Sequence, residues 1–207
     1  MSLINRDYRE LIEGKAVTLI GGGPDITSVD YDTLIVRCNT NYLASIQPAD
    51  ILYLSSADNI GQLEANLDQD RLKYVWINMN AGNCQLYSNL CIRYGVPYDY
   101  YVRYARETYR TRNSWYAQFQ GKYEFLPLTG VLAMYHIMQY NPASLYVTGM
   151  DLYITKDNRL HRQVNEFDIR KQAEAIKGLA KEYGEKLKID TRLNYILTYL
   201  NSLMYNG

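Results

Sequence analysis

The chain has 207 residues, enough for one domain with a sizeable core, and its 22 lysines and arginines balance 22 aspartates and glutamates. Zero formal net charge argues against a general nucleic-acid binder; no apolar run is long enough to span a membrane, and the polar N-terminus lacks a signal peptide's apolar centre. Cys38, Cys84 and Cys91 show no metal-ligand spacing and only 2 histidines accompany them, which points away from structural zinc and towards a reducing cytoplasm.

Residues 1–15 read as a short helix or arm ending at Gly14. The first strand, Ala16–Ile20, stops at Gly21-Gly22-Gly23-Pro24. Consecutive glycines serve a sharp turn or the close approach of another group. Directly after a strand, their backbone N–H groups are suited to an anion. Two readings stay open here, a phosphate cradle and a tight turn without ligand. The stretch is not a P-loop, because no Gly-Lys-Ser/Thr follows, and not the dinucleotide fingerprint, because Pro24 and Asp25 stand where that pattern needs x-x-Gly. A loop over 21–32 leads to strand Thr33–Arg37, closed by Cys38-Asn39-Thr40-Asn41. Strand Asp50–Leu54 ends at Ser55-Ser56. A helix over 58–69 places Ile60, Leu63 and Leu67 on one face. Strand Tyr74–Ile77 and a helix over 83–94 follow. Short, continuously apolar strands with helical connections make a parallel sheet covered on both faces, an α/β domain. Its ligands gather at the carboxyl ends of strands, which draws attention to Gly21 to Pro24, Asn39, Ser55 and Asn78.

Residues 94–123 break the pattern with tyrosines interleaved by Arg93, Arg103, Arg106, Arg110 and Arg112. The chain as a whole holds 22 tyrosines against 3 phenylalanines, a bias that suits contact with sugars or nucleotides and is equally a compositional habit of a source genome. The stretch is read as a lid or subdomain beside the ligand site; an insert packing aromatic faces on the sheet and a single-strand nucleic-acid surface are the alternatives. Next, Leu126-Pro127-Leu128-Thr129-Gly130 opens an apolar, buried helix that Asn141-Pro142 stops, with Thr129 placed to cap it. His136 within it is read as a core histidine rather than a catalyst. The start of this helix, at Thr129 and Gly130, is a second place for an anion. Strand Ser144–Val147 ends at Thr148-Gly149-Met150-Asp151-Leu152-Tyr153. A polar loop follows, and His161 to Glu166 opens a helix to about residue 183. Lys186–Ile189 reads as a last strand and 191–204 as a last helix. Without repeats, linker or low-complexity tract, residues 1–207 read as a single domain.

Three pieces in order resemble the sialyltransferases. The first is Val17-Thr18-Leu19-Ile20-Gly21-Gly22-Gly23-Pro24 with Val36-Arg37-Cys38-Asn39. The second is Pro127-Leu128-Thr129-Gly130 ahead of Thr148-Gly149-Met150-Asp151-Leu152-Tyr153, and the third is His161 with Glu166. Their order is similar to the large, small and very small motifs of the animal-type family, and the wording Gly-x-Gly-Pro, Arg-Cys-Asn and Gly-x-Asp-x-Tyr to the bacterial family. The resemblance implies a Rossmann-like α/β sheet and a metal-independent transfer of sugar from a CMP-activated donor, CMP-sialic acid in the family, to a glycan acceptor hydroxyl. It implies that Gly21, Gly22, Gly23, Pro24, Asn39, Thr129, Gly130, Gly149 and Asp151 hold the donor. It further implies that His161 is the general base with Glu166 nearby, and that Tyr146 and Tyr153 steady the leaving phosphate. No resident cofactor is expected, since the CMP-sugar is a substrate.

The chemistry of the residues agrees with that picture. A histidine has a fitting pKa to take the acceptor proton, and donors aimed at the departing phosphate stabilise the transition state. Glu166 either orients His161 or complements the dipole of its own helix. Two departures stand out: Gly22 occupies the family's asparagine place, and the animal enzymes' paired cysteines and membrane anchor have no counterpart. Asp30-Tyr31-Asp32 and Asp68-Gln69-Asp70 read as Asp-x-Asp, a metal motif of other glycosyltransferases, and are taken as surface charges. A nucleotide- or sugar-phosphate-binding module without transfer activity is the second hypothesis; a single-strand nucleic-acid binder is the third.

Overall fold

The computed structural model describes residues 6–23, 29–30, 32–39, 49–55, 64, 67, 71–79, 81–102, 115–125, 127–152 and 166–205. Helix α1 (Arg6–Ile12) leads into β1 (Ala16–Ile20), β2 (Leu34–Cys38), β3 (Ile51–Leu54) and β4 (Tyr74–Met79). Helix α2 (Ala81–Tyr94), β5 (Tyr98–Val102), α3 (Trp115–Tyr123), α4 (Thr129–Met138) and β6 (Ser144–Thr148) follow. After these come α5 (Glu166–Tyr183), a 3-10 turn (Gly184–Lys186), β7 (Leu187–Ile189) and α6 (Thr191–Tyr205). The strands form one seven-stranded sheet in the order β5-β4-β3-β2-β1-β6-β7, and every neighbouring pair is parallel. This is the expected α/β architecture, a parallel sheet flanked by helices.

Period-two alternation divides the core between the two faces of the sheet. Val17, Leu19, Val36, Ile51, Leu145 and Val147 pack with Val131, Met134 and Ile137 of α4. On the other face Leu52, Leu54, Val75 and Ile77 pack with Tyr87 and Cys91 of α2. Helix α4 is apolar nearly all round because it is buried from Gly130 to Met138. Each large aliphatic side chain taken fully out of water this way contributes about 1.5–3 kcal/mol. At the amino ends of the strands, Asp50 ties the sheet together. It accepts the Ile35 N–H at 2.8 Å and pairs with Arg71 at 3.1 Å and Lys73 at 3.0 Å.

Several elements differ from the sequence reading. Tyr98–Val102 belongs to the sheet as its edge strand, beside β4, and Phe119 of α3 is fully buried against Phe125 and Tyr135. These parts of the aromatic stretch are thus built into the fold, whereas its arginines from Arg103 to Arg112 lie outside the described residues. The expected helix over 58–69 also lies mostly outside them, as does the Asp68-Gln69-Asp70 triplet. Thr129 does not cap α4: it is the first helical residue, and Leu128, with φ −63° and ψ 152°, stands at the cap without a side-chain bond. Among the described residues no helix is long and apolar enough to cross a membrane.

Candidate functional site

From β1 the strand order runs through β2, β3 and β4 to one edge, then returns to β6 on the opposite side of β1. The chain leaves β1 for a strand on one side of it and leaves β6 for a strand on the other, so the carboxyl ends of β1 and β6 are the switch point where open α/β sheets take ligands. The register pairs Ile20 with Thr148, so Gly21 to Gly23 lie alongside Gly149 to Asp151. An open cleft sits there, with a cavity volume of about 40 Å³. Its walls are Gly21, Gly22, Gly23, Cys38, Asn39, Leu128, Thr129, Gly130, Gly149, Met150, Asp151 and Leu152. Segments more than a hundred residues apart thus meet in one place.

The glycine loop is a contact between two backbones. The Gly21 N–H donates to the Thr148 carbonyl at 2.8 Å and the Gly23 N–H to the Gly149 carbonyl at 2.7 Å. A Cβ on Gly21 would lie 2.4 Å from the Gly149 carbonyl oxygen, and one on Gly23 2.8 Å from it. This corrects the expectation of three bare amides: two of the three are spent on the neighbouring turn. Only the Gly22 N–H has no acceptor among the described residues. Gly149, in the left-handed region at φ 67°, is held in turn by Asp190, whose Oδ2 accepts the Gly149 N–H at 3.2 Å. Asp190 Oδ1 accepts the Leu193 N–H at 2.7 Å and so caps α6.

The opposite wall is the start of α4. Its first intrahelical bond runs from the Leu132 N–H to the Leu128 carbonyl at 2.9 Å. The N–H groups of Thr129, Gly130 and Val131 therefore have no helical acceptor, and none among the described residues. The Leu128 N–H is taken by Oε1 of Gln172 at 3.0 Å. Met150 fills the gap between the walls, with its Cγ against Gly21 and its Cε against Gly130. The helix dipole and three open amides make this end of the cleft favourable to negative charge.

Asn39 forms the third side. It is buried, has φ 60°, and donates its backbone N–H to the Tyr53 carbonyl at 2.6 Å. Its Oδ1 accepts the Ser55 N–H at 2.7 Å and the Ser55 hydroxyl at 3.1 Å. The Ser55 hydroxyl also bonds Thr129 Oγ1. Cys38 beside it is buried, and its thiol is pushed up to about 12 by burial against the opposing pull of Arg37, so it stays neutral.

Of the residues named from the sequence, Gly21, Gly22, Gly23, Asn39, Thr129, Gly130, Gly149 and Asp151 all line this cleft. Tyr146 does not. Leu145 and Val147 face the α4 side of the sheet, and alternation sends Tyr146 to the opposite face. Pro24, Tyr153 and His161 lie outside the described residues, and Glu166 is described only as the first residue of α5. His136 is buried two turns below the cleft. Its Nδ1 meets the Tyr53 hydroxyl at 2.5 Å, which meets Tyr8 at 2.5 Å, and the Tyr8 ring stacks on the imidazole at 5.0 Å. Burial lowers the His136 pKa to about 3, so the ring is neutral, a core histidine as expected. Leu128, Met150 and Leu152 stand inside the quoted motifs but were given no role, Ser55 was noted only as a polar residue closing a strand, and Asp190 carried no signal.

No protein-family model matches the chain, and no curated protein matches it. Its fold is similar to solved structures of the sialyltransferase CstII, the first two of them from Campylobacter jejuni. One holds the substrate analogue CMP-3FNeuAc, with TM-score 0.50 and 15% identity over 84% of this chain and 80% of that one. Another holds cytidine-5'-monophosphate, with TM-score 0.51 and 16% identity over 86% and 80% of the two chains. A third, of CST-II with a trisaccharide acceptor and CMP, gives TM-score 0.50 and 16% identity over 84% and 80%. The α/β fold of this chain is therefore a sialyltransferase-like one.

Proposed function

We propose that the chain is a sialyltransferase-like glycosyltransferase, moving a sugar from a CMP-activated donor to an acceptor hydroxyl. The observation that carries this reading is the cleft itself. Eight residues named from the motif resemblance line one crevice, at the switch point of a fold shared with CMP-bound sialyltransferase structures. In it, the amides of Gly22 and of the first turn of α4 receive the donor's phosphate, and the amide group of Asn39 receives an oxygen of the nucleotide. These are fixed dipoles aimed at the charge that grows as CMP departs, so the protein itself supplies the stabilisation without a metal or resident cofactor. His161 takes the proton of the acceptor hydroxyl. Three buried cysteines outside any disulfide fit a reducing cytoplasm.

The test is twofold. Calorimetry with CMP, with UMP and a short oligonucleotide as controls, is expected to show binding of CMP alone. Incubation with CMP-sialic acid and a panel of glycans is expected to release CMP, and His161→Ala to lower that rate by about two to four orders of magnitude with CMP affinity preserved. Unchanged turnover in His161→Ala removes that residue from the mechanism. Gly22, in place of the family's asparagine, favours a second reading, a nucleotide- or sugar-phosphate-binding module. CMP binding by a chain that turns over none of the donors would decide for it.

A further inference from the structure

The carboxyl ends of β2 and β3 and the start of α4 are joined by one run of side-chain bonds. Asn39 Oδ1 takes both the backbone N–H and the hydroxyl of Ser55, at 2.7 and 3.1 Å, and the same hydroxyl bonds Thr129 Oγ1. An asparagine amide has an acceptor end and a donor end, and its ends are interchangeable by a half-turn. Here the half-turn is disallowed, because it would set the Asn39 amino group against the Ser55 N–H, donor against donor. With Oδ1 committed to β3, the amino group is the end left for the cleft that Asn39 lines. The backbone is fixed as well, through the left-handed φ of 60° and the bond from the Asn39 N–H to the Tyr53 carbonyl.

We propose that Ser55, which itself does not line the cleft, is the positioning residue of the site, acting through Asn39. Its backbone N–H sets the donor end of the asparagine towards the ligand, and its hydroxyl, bonded to Thr129, holds the amide in that position. The cleft then offers donors on three sides: the Asn39 amino group, the Gly22 N–H and the open amides of α4. Such a rim selects ligands that present acceptors alone at those points, namely phosphate oxygens and ribose hydroxyls accepting through their lone pairs. An amino-bearing group at the Asn39 position is rejected. The choice of ligand rests on the nucleotide reading above; the role of Ser55 rests on the bonds.

A double-mutant cycle tests it. Ser55→Ala is expected to weaken CMP binding by about threefold to tenfold, the worth of one shared hydrogen bond, and Asn39→Ala by about tenfold or more. Because Ser55 acts through Asn39, the double variant is expected to bind no more weakly than Asn39→Ala alone. Ser55→Thr, which keeps the hydroxyl, is expected to recover most of the loss. Fully additive losses, or no recovery with threonine, overturn the proposal. The same cycle read by urea unfolding needs no ligand. There, Ser55→Ala is expected to lower the folding equilibrium constant less in the Asn39→Ala background than in the parent, and equal lowering overturns the proposal. Absence of CMP binding by the parent chain would count against the nucleotide reading, and the unfolding cycle would still decide the role of Ser55.

Discussion

Gly21 shows how a residue can be demanded by space rather than by backbone conformation. Its Cβ would stand 2.4 Å from a carbonyl oxygen and 2.5 Å from Met150 Cγ. A carbonyl fixed in a turn has nowhere to go, so Gly21→Ala must part the β1 and β6 loops. The expected cost is about 2–3 kcal/mol, read from urea unfolding. Gly130 is the control on the other side of the same methionine. A Cβ there meets Met150 Cε at 2.6 Å and Sδ at 2.9 Å, the flexible end of a side chain, and alanine suits a helix better than glycine. Gly130→Ala is expected to change stability by less than about 1 kcal/mol. Equal losses at the two positions would mean that the backbone contact is not what the glycine loop is for.

Helix α4 joins the core to the cleft, which makes it the element where stability and binding oppose each other. Its first turn holds open amides beside the ligand space, and Leu128 at the cap supplies no side-chain acceptor for them. A helix left uncapped this way forgoes stabilisation that a carboxylate would provide. Thr129→Asp adds a carboxylate at the open amides but gives up the bond to Ser55, two effects of similar size, and is therefore expected to change the stability of the ligand-free protein by less than about 1 kcal/mol. It is also expected to weaken CMP binding at least tenfold, about 1.4 kcal/mol, by placing negative charge where the phosphate belongs. Unfolding curves and calorimetry on one preparation read both effects. Unimpaired binding in that variant would mean that the anion does not sit at this helix end.

For the molecule as a whole, the buried histidine sets a dependence of stability on acid. His136 is neutral when folded, its pKa lowered by burial to about 3, whereas an unfolded chain's histidine titrates near 6.5. The unfolded state thus binds the proton first, so the stabilisation is complete above about pH 6.5 and is lost as pH falls from there towards 3. The limiting slope is about 1.4 kcal/mol per pH unit. His136→Gln is expected to flatten the slope between pH 6 and 4.5 in urea titrations at several pH values; an unchanged slope would place the titrating group elsewhere. Asp50 adds a second loss in stronger acid. Burial raises its pKa, but the Ile35 N–H, Lys73 and Arg71 together outweigh that and hold it below the ordinary carboxylate value.

The sheet was legible because its central strands are short apolar runs ended by polar residues, a pattern that follows from burial on both faces and needs no knowledge of neighbours. The edge strand Tyr98–Val102 was not legible, because Tyr98 and Asp99 are half-buried and Tyr100 exposed at the sheet's rim, and the strand shares its composition with the stretch that follows. Thr129 looked like a cap because a threonine precedes an apolar run; the chain enters the helix one residue earlier, and the hydroxyl bonds Ser55 instead. Most of the cleft's lining could be named from local motifs, since each lies where a strand or helix ends. Which donors remain open in it depends on who stands beside whom. The register of β1 with β6 consumes the Gly21 and Gly23 amides, alternation in β6 carries Tyr146 to the far face, and the closeness of β2 to β3 lets Ser55 turn Asn39. Local sequence determined the identity of the polar groups at the strand ends; tertiary structure decided which were left unpaired, because a hydrogen bond between distant segments exists only once the sheet has brought them together.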